Sequence, residues 1–487
     1  MIREITSSFV LTLPLQFTIS DDSALNKYFE LSRRYYNAIL GKLLKRYYLM
    51  IQSKKYIQIC KMSKGKERNE EFKLIEEEFG LRGTAINKLI TSLRVNEFKE
   101  LGSHITIKLE LRAMQAIDKL RFGEANKVSF IKFGEMFSFE SSNNKQGIRF
   151  RDNQVIFNKL KIPVILKQND IYAYQALQNR IKYCRIKREI IKGKTKYYVQ
   201  LILEGVPPTK IDKETGEIKH YINEGTVGID IGTQTIAYTS QNEVKLLELA
   251  PGIQNIEKRK RILQRKLDRS KRSMNPNKFN DNDTINIKDK TKWIKSNHYI
   301  KTQNKLKELQ RKQKEIRKQS HNKLANHILT LGNDIKVEMM NYKGLQKRAK
   351  NTTINEKTGR INKKKRFGKS LANKAPSMFL TILNNKLKWI DKTLKKIDTW
   401  NVKASQYNHI EDKFIKKDLN ERWNEFDGFR IQRDLYSSFL IMNVGEDLSS
   451  INRDLCFKKF DRFKELHDVE IERLRNCGNK LLSSMGI

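Results

Sequence analysis

With 487 residues and an apolar share of 38%, the chain is long enough for several compact units with real cores, which excludes an intrinsically disordered protein. Its 98 Lys and Arg against 55 Asp and Glu leave a formal charge of +43, a surplus that repels itself unless polyanions neutralise it. Nucleic acid is the natural counter-charge, since each neutralised phosphate releases condensed counterions. No run of about 18 apolar residues marks a membrane span, and Met1-Ile2-Arg3-Glu4-Ile5 lacks the basic start and apolar stretch of a signal peptide. The expectation is a cytoplasmic protein that does not engage a membrane.

The chain opens with an extended apolar segment, Ser8 to Phe17, in which Pro14 predicts an edge strand. From about Ala24 to Gly123 the periodicity is helical, with Leu25, Tyr28, Phe29, Leu31 and Tyr35 close to one face. Between Lys127 and Glu204 the pattern becomes strand-like. Val128-Ser129-Phe130, Phe137-Ser138-Phe139 and Ile148-Arg149-Phe150 alternate, Asp152-Asn153 marks a turn, and Lys192-Gly193-Lys194-Thr195 reads as a hairpin loop. A β-barrel or open sheet is expected there, with Lys182, Arg185, Lys187 and Arg188 on an exposed face as candidate nucleic-acid contacts.

After a loop over 207–225, a short buried strand from Thr226 to Asp230 begins the second half. A helix from about Ile253 to Ser270 places Ile253, Ile256, Leu263 and Leu267 on one face, while Lys258, Arg259, Arg261, Arg265 and Arg269 are left to meet phosphate. Residues 275–297 read as a loop, followed by a long helix to about Leu331 and a strand from Ile335 to Met339. A basic loop over 343–369 follows, with Lys347, Arg348, Lys364 and Arg366 as further candidate phosphate contacts. Another helix is expected from Met378 to Ile397.

Three acids stand where chemistry is cheap to build. Asp230 ends the apolar strand Val227-Gly228-Ile229-Asp230, and Glu338 ends Ile335-Lys336-Val337-Glu338. Asp434, in Gln432-Arg433-Asp434-Leu435-Tyr436, begins an amphipathic helix through Phe439, Leu440 and Val444. A carboxylate in so apolar a setting is costly unless it is paired or binds a cation. Three such acids meeting at one sheet edge can hold two Mg²⁺ ions, which Mn²⁺ can replace, and act on a phosphodiester. Singly, each has a plainer reading as a turn residue, a surface acid or a helix cap. A nucleotide-binding ATPase also starts with a strand and a Gly232-Thr233-like turn, but it needs a second loop of the Asp-x-Gly-Gly-Gly type, and the sequence has none.

These segments resemble the three RuvC motifs of transposon-encoded TnpB proteins and their descendants, the compact type V CRISPR effectors. The resemblance rests on Gly228-Ile229-Asp230-Ile231-Gly232, on Ile335-Lys336-Val337-Glu338 with Tyr342-Lys343-Gly344-Leu345 after it, and on Arg433-Asp434 with Ser437-Ser438-Phe439. It implies an α/β RNase H-like (RuvC) nuclease domain joined to an N-terminal wedge β-barrel with an inserted helical recognition subdomain. It divides the chain into a first wedge strand over 1–20, recognition helices over 21–124 and the wedge barrel over 125–222. RuvC follows over 223–403 and 431–444, with a target-loading loop over 404–430 and a helical tail over 445–487. Asp230, Glu338 and Asp434 become the Mg²⁺-binding catalytic triad of an RNA-guided DNA endonuclease in a prokaryotic cytoplasm. The implied partners are a guide RNA, from a transposon end or a CRISPR array, and a double-stranded DNA target chosen by base pairing beside a short flanking motif. An RNA-guided repressor or transposon accessory that binds without cutting is the alternative.

Two departures stand out. Family members carry a four-cysteine zinc ribbon before the third acid, whereas this chain has Ala404-Ser405-Gln406-Tyr407-Asn408-His409 and no cysteine through Arg433. Its four cysteines, Cys60, Cys184, Cys456 and Cys477, form no C-x-x-C pair, and His409 alone cannot hold zinc, so no structural zinc is expected. Tyr436 stands where the family commonly has Asn, and simple packing is its expected role.

Overall fold

The first long helix begins with a reciprocal cap. The Thr18 hydroxyl accepts from the Asp21 amide at 3.2 Å while the Asp21 carboxylate accepts from the Thr18 amide at 2.8 Å, which satisfies two donors at the helix entrance. The computed structural model describes residues 7–82, 91–95, 97–212, 214–282, 284–347, 353–354, 356, 359, 367–418, 421–478 and 481–487. The chain divides into two compact units, Met1–Pro208 and Thr209–Ile487.

In the first unit the elements run β1 (Ser8–Pro14), α1 (Ile19–Gln52), α2 (Lys54–Lys61), α3 (Lys66–Glu78), α4 (Ser103–Arg121), β2 (Ser138–Glu140), β3 (Arg149–Arg151), β4 (Gln154–Phe157), β5 (Leu160–Pro163), α5 (Ile171–Leu177), β6 (Ile181–Ile191) and β7 (Lys194–Glu204). Two antiparallel sheets form, ordered β1-β7-β6-β2 and β3-β4-β5, and Leu15 bridges Val164 between them. Pro14 lies on the edge strand β1, where its missing N–H costs no ladder bond. Lys192 (φ 50°) and Gly193 (φ 79°) take the two left-handed positions that a tight β6–β7 hairpin requires. Helix α1 lies on the sheet through Phe29, whose ring is 4.9 Å from Phe139 and 6.1 Å from Tyr197.

Val128–Phe130, expected as a strand, has no regular structure. The neighbouring Ile131 amide donates to Asn37 Oδ1 at 2.9 Å and its carbonyl accepts from Asn37 Nδ2 at 2.8 Å, so a side chain of α1 takes the backbone groups a strand partner would need.

The second unit runs β8 (Thr226–Ile231), β9 (Thr235–Thr239), β10 (Val244–Glu248), α6 (Gln254–Met274), α7 (Asn297–Leu331), β11 (Asp334–Val337), α8 (Tyr342–Gln346), α9 (Gly368–Lys374), α10 (Pro376–Leu387), β12 (Lys395–Lys396), α11 (Thr399–Val402), β13 (Tyr407–Asn408), β14 (Lys413–Phe414), β15 (Trp423–Phe426), β16 (Phe429–Gln432), α12 (Arg433–Met442) and α13 (Arg453–Arg475). Its main sheet is ordered β10-β9-β8-β11-β12, with β8, β9 and β10 antiparallel and β8, β11 and β12 parallel. The alternation of β8 sorts its two faces. Val227, Ile229 and Ile231 join a core with Ala325, Ile328 and Phe379 from α7 and α10, so Gly228 and Asp230 turn to the opposite face.

On that opposite face lies α12. A Cβ at Gly228 would overlap the Ser438 carbonyl oxygen and the Met442 amide, and would stand 2.7 Å from the Met442 Cα. Only a glycine lets the helix backbone this close to the strand. Thr239, paired with Gly228 across β8 and β9, ties its hydroxyl to the Ser438 hydroxyl at 2.7 Å.

Three expectations need correction here. The second-half strand ends at Val337 rather than Met339, so Glu338 is the first residue beyond it. The helix expected from Met378 to Ile397 stops at Leu387, because a 3₁₀ turn over Lys388–Ile390 and the left-handed Asp391 (φ 54°) reverse the chain into β12. Helix α12 is buried on nearly all sides instead of amphipathic, sandwiched between the sheet and α13, with Phe439 stacked on Phe463 at 4.4 Å. Among the described residues, no helix is long and apolar enough to cross a membrane.

Replacing Gly228 by Ala forces backbone against backbone, a cost of about 1–3 kcal/mol or more. The variant is expected to unfold at lower urea concentration than the wild type, and an unchanged midpoint would contradict this packing.

Candidate active site

The parallel register of the sheet sets two of the acids side by side. Val337 pairs with Ile229, so Glu338 and Asp230 follow in line at the carboxyl ends of neighbouring strands, and the Glu338 amide donates to the Ile229 carbonyl at 3.4 Å. Adjacent residues in parallel register share a face. Lys336 shares that face too, and its ammonium donates to the Met442 carbonyl at 3.4 Å and to the Val444 carbonyl. A cation thus holds the C-terminal end of α12, where helix carbonyls lack partners.

Asp434 comes from the other end of α12. Ser438, which touches Gly228, is one helical turn after Asp434, and Asp230 is two residues after Gly228 on the same strand face. The single close contact therefore carries both acids toward one place. The N-terminus of α12 is fixed by the buried Gln432. Its Oε1 accepts from the Leu435 amide at 2.8 Å, its Nε2 donates to the Met485 carbonyl at 3.0 Å, and its backbone amide donates to His467 Nε2 at 3.1 Å. The charged tail, for which the sequence offered no function, thus positions the helix start, and Glu470 in it, fully buried, accepts the Leu246 amide of the edge strand β10 at 2.9 Å.

The electrostatics register the convergence. Burial, then the Asp434 and Glu338 carboxylates, push Asp230 well above the usual carboxylate range, against the pull of Arg433 and Arg422. Burial raises Glu338. Burial also raises Asp434, opposed by Arg422 and Arg433, whose nitrogens stand 3.7 and 3.8 Å from its Oδ1, and by Gln432. Tyr342, in α8 just after Glu338, is pushed up by burial and by the Asp230 charge, and its hydroxyl is buried without a partner.

Among the described residues, no three acidic, histidine or cysteine side chains stand close enough to hold a metal ion as they are. Three carboxylates repel one another, and Asp434 is drawn toward two guanidinium groups. The donor set nevertheless suits a hard divalent cation, which takes oxygen ligands, and the orphaned Tyr342 hydroxyl needs a partner that the protein does not provide.

The expected nucleic-acid contacts separate into groups. On α6, Lys258, Arg259, Arg261, Arg265 and Arg269 are all exposed. Lys347 is exposed after α8, while Arg348, Lys364 and Arg366 lie outside the described residues. In β6 the expected common exposed face is corrected. Arg185 binds Glu140 through Nε at 2.6 Å and reaches Gln200, and Lys187 pairs with Glu189. Arg188 turns to the other face, 4.6 Å over the Phe29 ring, with hydrogen bonds to Asn26 and the Met136 carbonyl. Lys182, Arg185, Lys187 and Arg188 are all half-buried.

In the 404–430 segment, the fully buried His409 sits among Tyr436, Phe439, Phe457 and Phe460. Burial pushes it down to about 4. Tyr436 does more than pack: its hydroxyl accepts from the His409 amide at 3.2 Å and meets His409 Nδ1 at 2.6 Å.

No family model matches the chain, and no curated protein matches it. Among solved structures it is similar to a Cas12f1–sgRNA–target DNA complex seen by cryo-EM, at 13% identity over 88% of this chain and 84% of that one, with a TM-score of 0.47. It is also similar to a CRISPR-Cas12f ternary complex, at 12% identity over 87% of this chain and 82% of that one, with a TM-score of 0.28.

The raised acids set a direction for stability. A carboxyl raised above its ordinary value, 3.8 for Asp or 4.5 for Glu, binds its proton more tightly in the folded chain, so stability falls as pH rises from those values through the raised ones. In EDTA at mildly alkaline pH, Asp230→Asn is expected to melt above the wild type, by roughly 2–4 °C per kcal/mol of relieved burial and repulsion. The gap should close in acid. Mg²⁺ should stabilise the wild type and not the variant, and a variant that melts lower with the same pH dependence would contradict the coupling.

Proposed function

We propose that this chain is an RNA-guided DNA endonuclease whose second unit is an RNase H-like, RuvC-type nuclease. What supports the reading is the mutual electrostatic influence of Asp230, Glu338 and Asp434, which the Gly228 contact and the β8–β11 register direct toward one end of a sheet of three antiparallel strands extended by two parallel ones. In this reading the three carboxylates hold Mg²⁺, or Mn²⁺ in its place. Bound there, the cation would polarise a phosphoryl oxygen and supply a more acidic water for attack on the phosphodiester. Arg422 and Arg433, 3.7 and 3.8 Å from the Asp434 carboxylate, oppose the rise that burial imposes on it. Tyr342 offers its free hydroxyl as a donor to an oxygen in the site.

The guide RNA, the DNA target and the flanking motif read by the N-terminal half follow from the sequence resemblance, as do the wedge barrel over 1–20 and 125–222 and the recognition helices over 21–124. The charge of +43 supports polyanionic partners. The exposed cations of α6 are the proposed phosphate contacts.

A second reading, an RNA-guided binder that does not cut, draws on the spacing of the acids, which is too open to hold a metal without movement. One experiment separates the two. The complex purified with its co-purifying RNA is given a DNA target matching that RNA, with Mg²⁺ or Mn²⁺. Cleavage is expected, and Asp230→Ala, Glu338→Ala and Asp434→Ala are each expected to abolish it while RNA and DNA binding survive. Full cutting by Asp230→Ala would refute the nuclease reading, and no cutting by the wild type would favour the binder.

A further inference from the structure

The edge of the sheet that carries the acids also carries an indole that the fold does not use. Strand β12 runs parallel to β11 with Lys396 beside Val337, and the Ile397 amide donates to the Val337 carbonyl at 3.2 Å. Ile397 thus follows in line with Glu338, as Glu338 follows in line with Asp230. The chain leaving β12 emerges at the carboxyl ends of the same three parallel strands, with Ile397 two strand spacings, roughly 10 Å, from Asp230.

It turns at once, and the turn is anchored. Asp398 accepts from the Trp400 amide at 2.9 Å, the Asn401 amide at 3.4 Å and the Asn401 side chain at 2.8 Å, and its own amide donates to the Leu448 carbonyl at 2.8 Å. Ile397 and Val402 are buried on either side. Between them Trp400 is 84% exposed. Scattered exposed apolar residues are ordinary, but a mobile loop would leave such a ring undirected, whereas this one stands on a turn capped by Asp398 and flanked by the buried Ile397 and Val402.

The surface continues along the chain with the same mixture of rings and cations. Lys396 and Lys403 are exposed, and the Lys403 ammonium lies 5.7 Å over the ring of Phe414, itself 55% exposed. Aromatic faces interleaved with cations are what an unpaired strand requires, since bases stack on the rings and phosphates meet the charges. Stacked base pairs of a duplex present no free face to an indole.

We propose that Trp400 is a stacking platform for one unpaired base of a DNA single strand lying across the carboxylate edge, and that it positions that strand against Asp230, Glu338 and Asp434. The identity of the strand as substrate rests on the nuclease reading, but the stacking is measured by binding alone. In EDTA and elevated salt, which weakens the phosphate contacts, the full chain is titrated with a short labelled single-stranded DNA and with the matching duplex. Trp400→Ala is expected to weaken single-strand binding about tenfold and to leave duplex binding unchanged. Trp400→Phe should restore most of the loss. The strand should quench the tryptophan emission of the wild type, and much less that of Trp400→Ala. Where the complex cuts DNA, Trp400→Ala should raise KM with little change in kcat.

Single-strand binding by Trp400→Ala equal to the wild type would overturn the proposal. Equal losses for single strand and duplex would overturn it too, as would a loss of self-association in sedimentation with strand binding intact, which would make Trp400 a contact between copies of the chain. If Asp230→Ala still cuts, the nuclease reading fails while the binding result stands.

Discussion

The closeness of one helix to one strand governs the second unit. Helix α12 can bring Asp434 to Asp230 only because Gly228 offers no side chain where the Ser438 carbonyl and the Met442 amide pass. Each end of the helix is then held separately, by Gln432 and the tail at the start and by Lys336 at the finish. A rigid helix pinned at three points transmits its placement to the residue in its first turn, so Asp434 is positioned by backbone packing more than by its own contacts.

That placement is electrostatically unfavourable for the isolated chain. Three half-buried acids gather with two guanidinium groups nearby, and the raised carboxyls record the cost. Folding tolerates it because the surrounding apolar cores, with Val227, Ile229 and Ile231 on one side of the sheet and Phe439, Phe460 and Phe463 on the other, determine the geometry around the acids.

Much of this was legible in the residues. The strands Thr226–Ile231 and Asp334–Val337 were readable because burial imposes a period on sequence, whereas the helix after Asp434 was legible as an apolar run but not as a helix buried on nearly all sides. What periodicity could not convey was termination and partnership. Ile390 and Ile397 continue an apolar rhythm past the true end of α10 at Leu387, where a 3₁₀ turn over Lys388–Ile390 and the left-handed Asp391 break the helix. Arg188 looks like any surface cation until the β6 register turns it toward Phe29. The bond between Tyr436 and His409 spans 27 residues, and that between Gln432 and Met485 spans 53, distances at which sequence carries no local signal.

The proposed function requires Asp230, Glu338 and Asp434 to share a divalent cation. Anomalous diffraction from crystals of the full chain grown with Mn²⁺ addresses it directly. Mn²⁺ density is expected between the three carboxylates. Ordered side chains with Mn²⁺ bound elsewhere, or with the three acids still apart at saturating Mn²⁺, would contradict it.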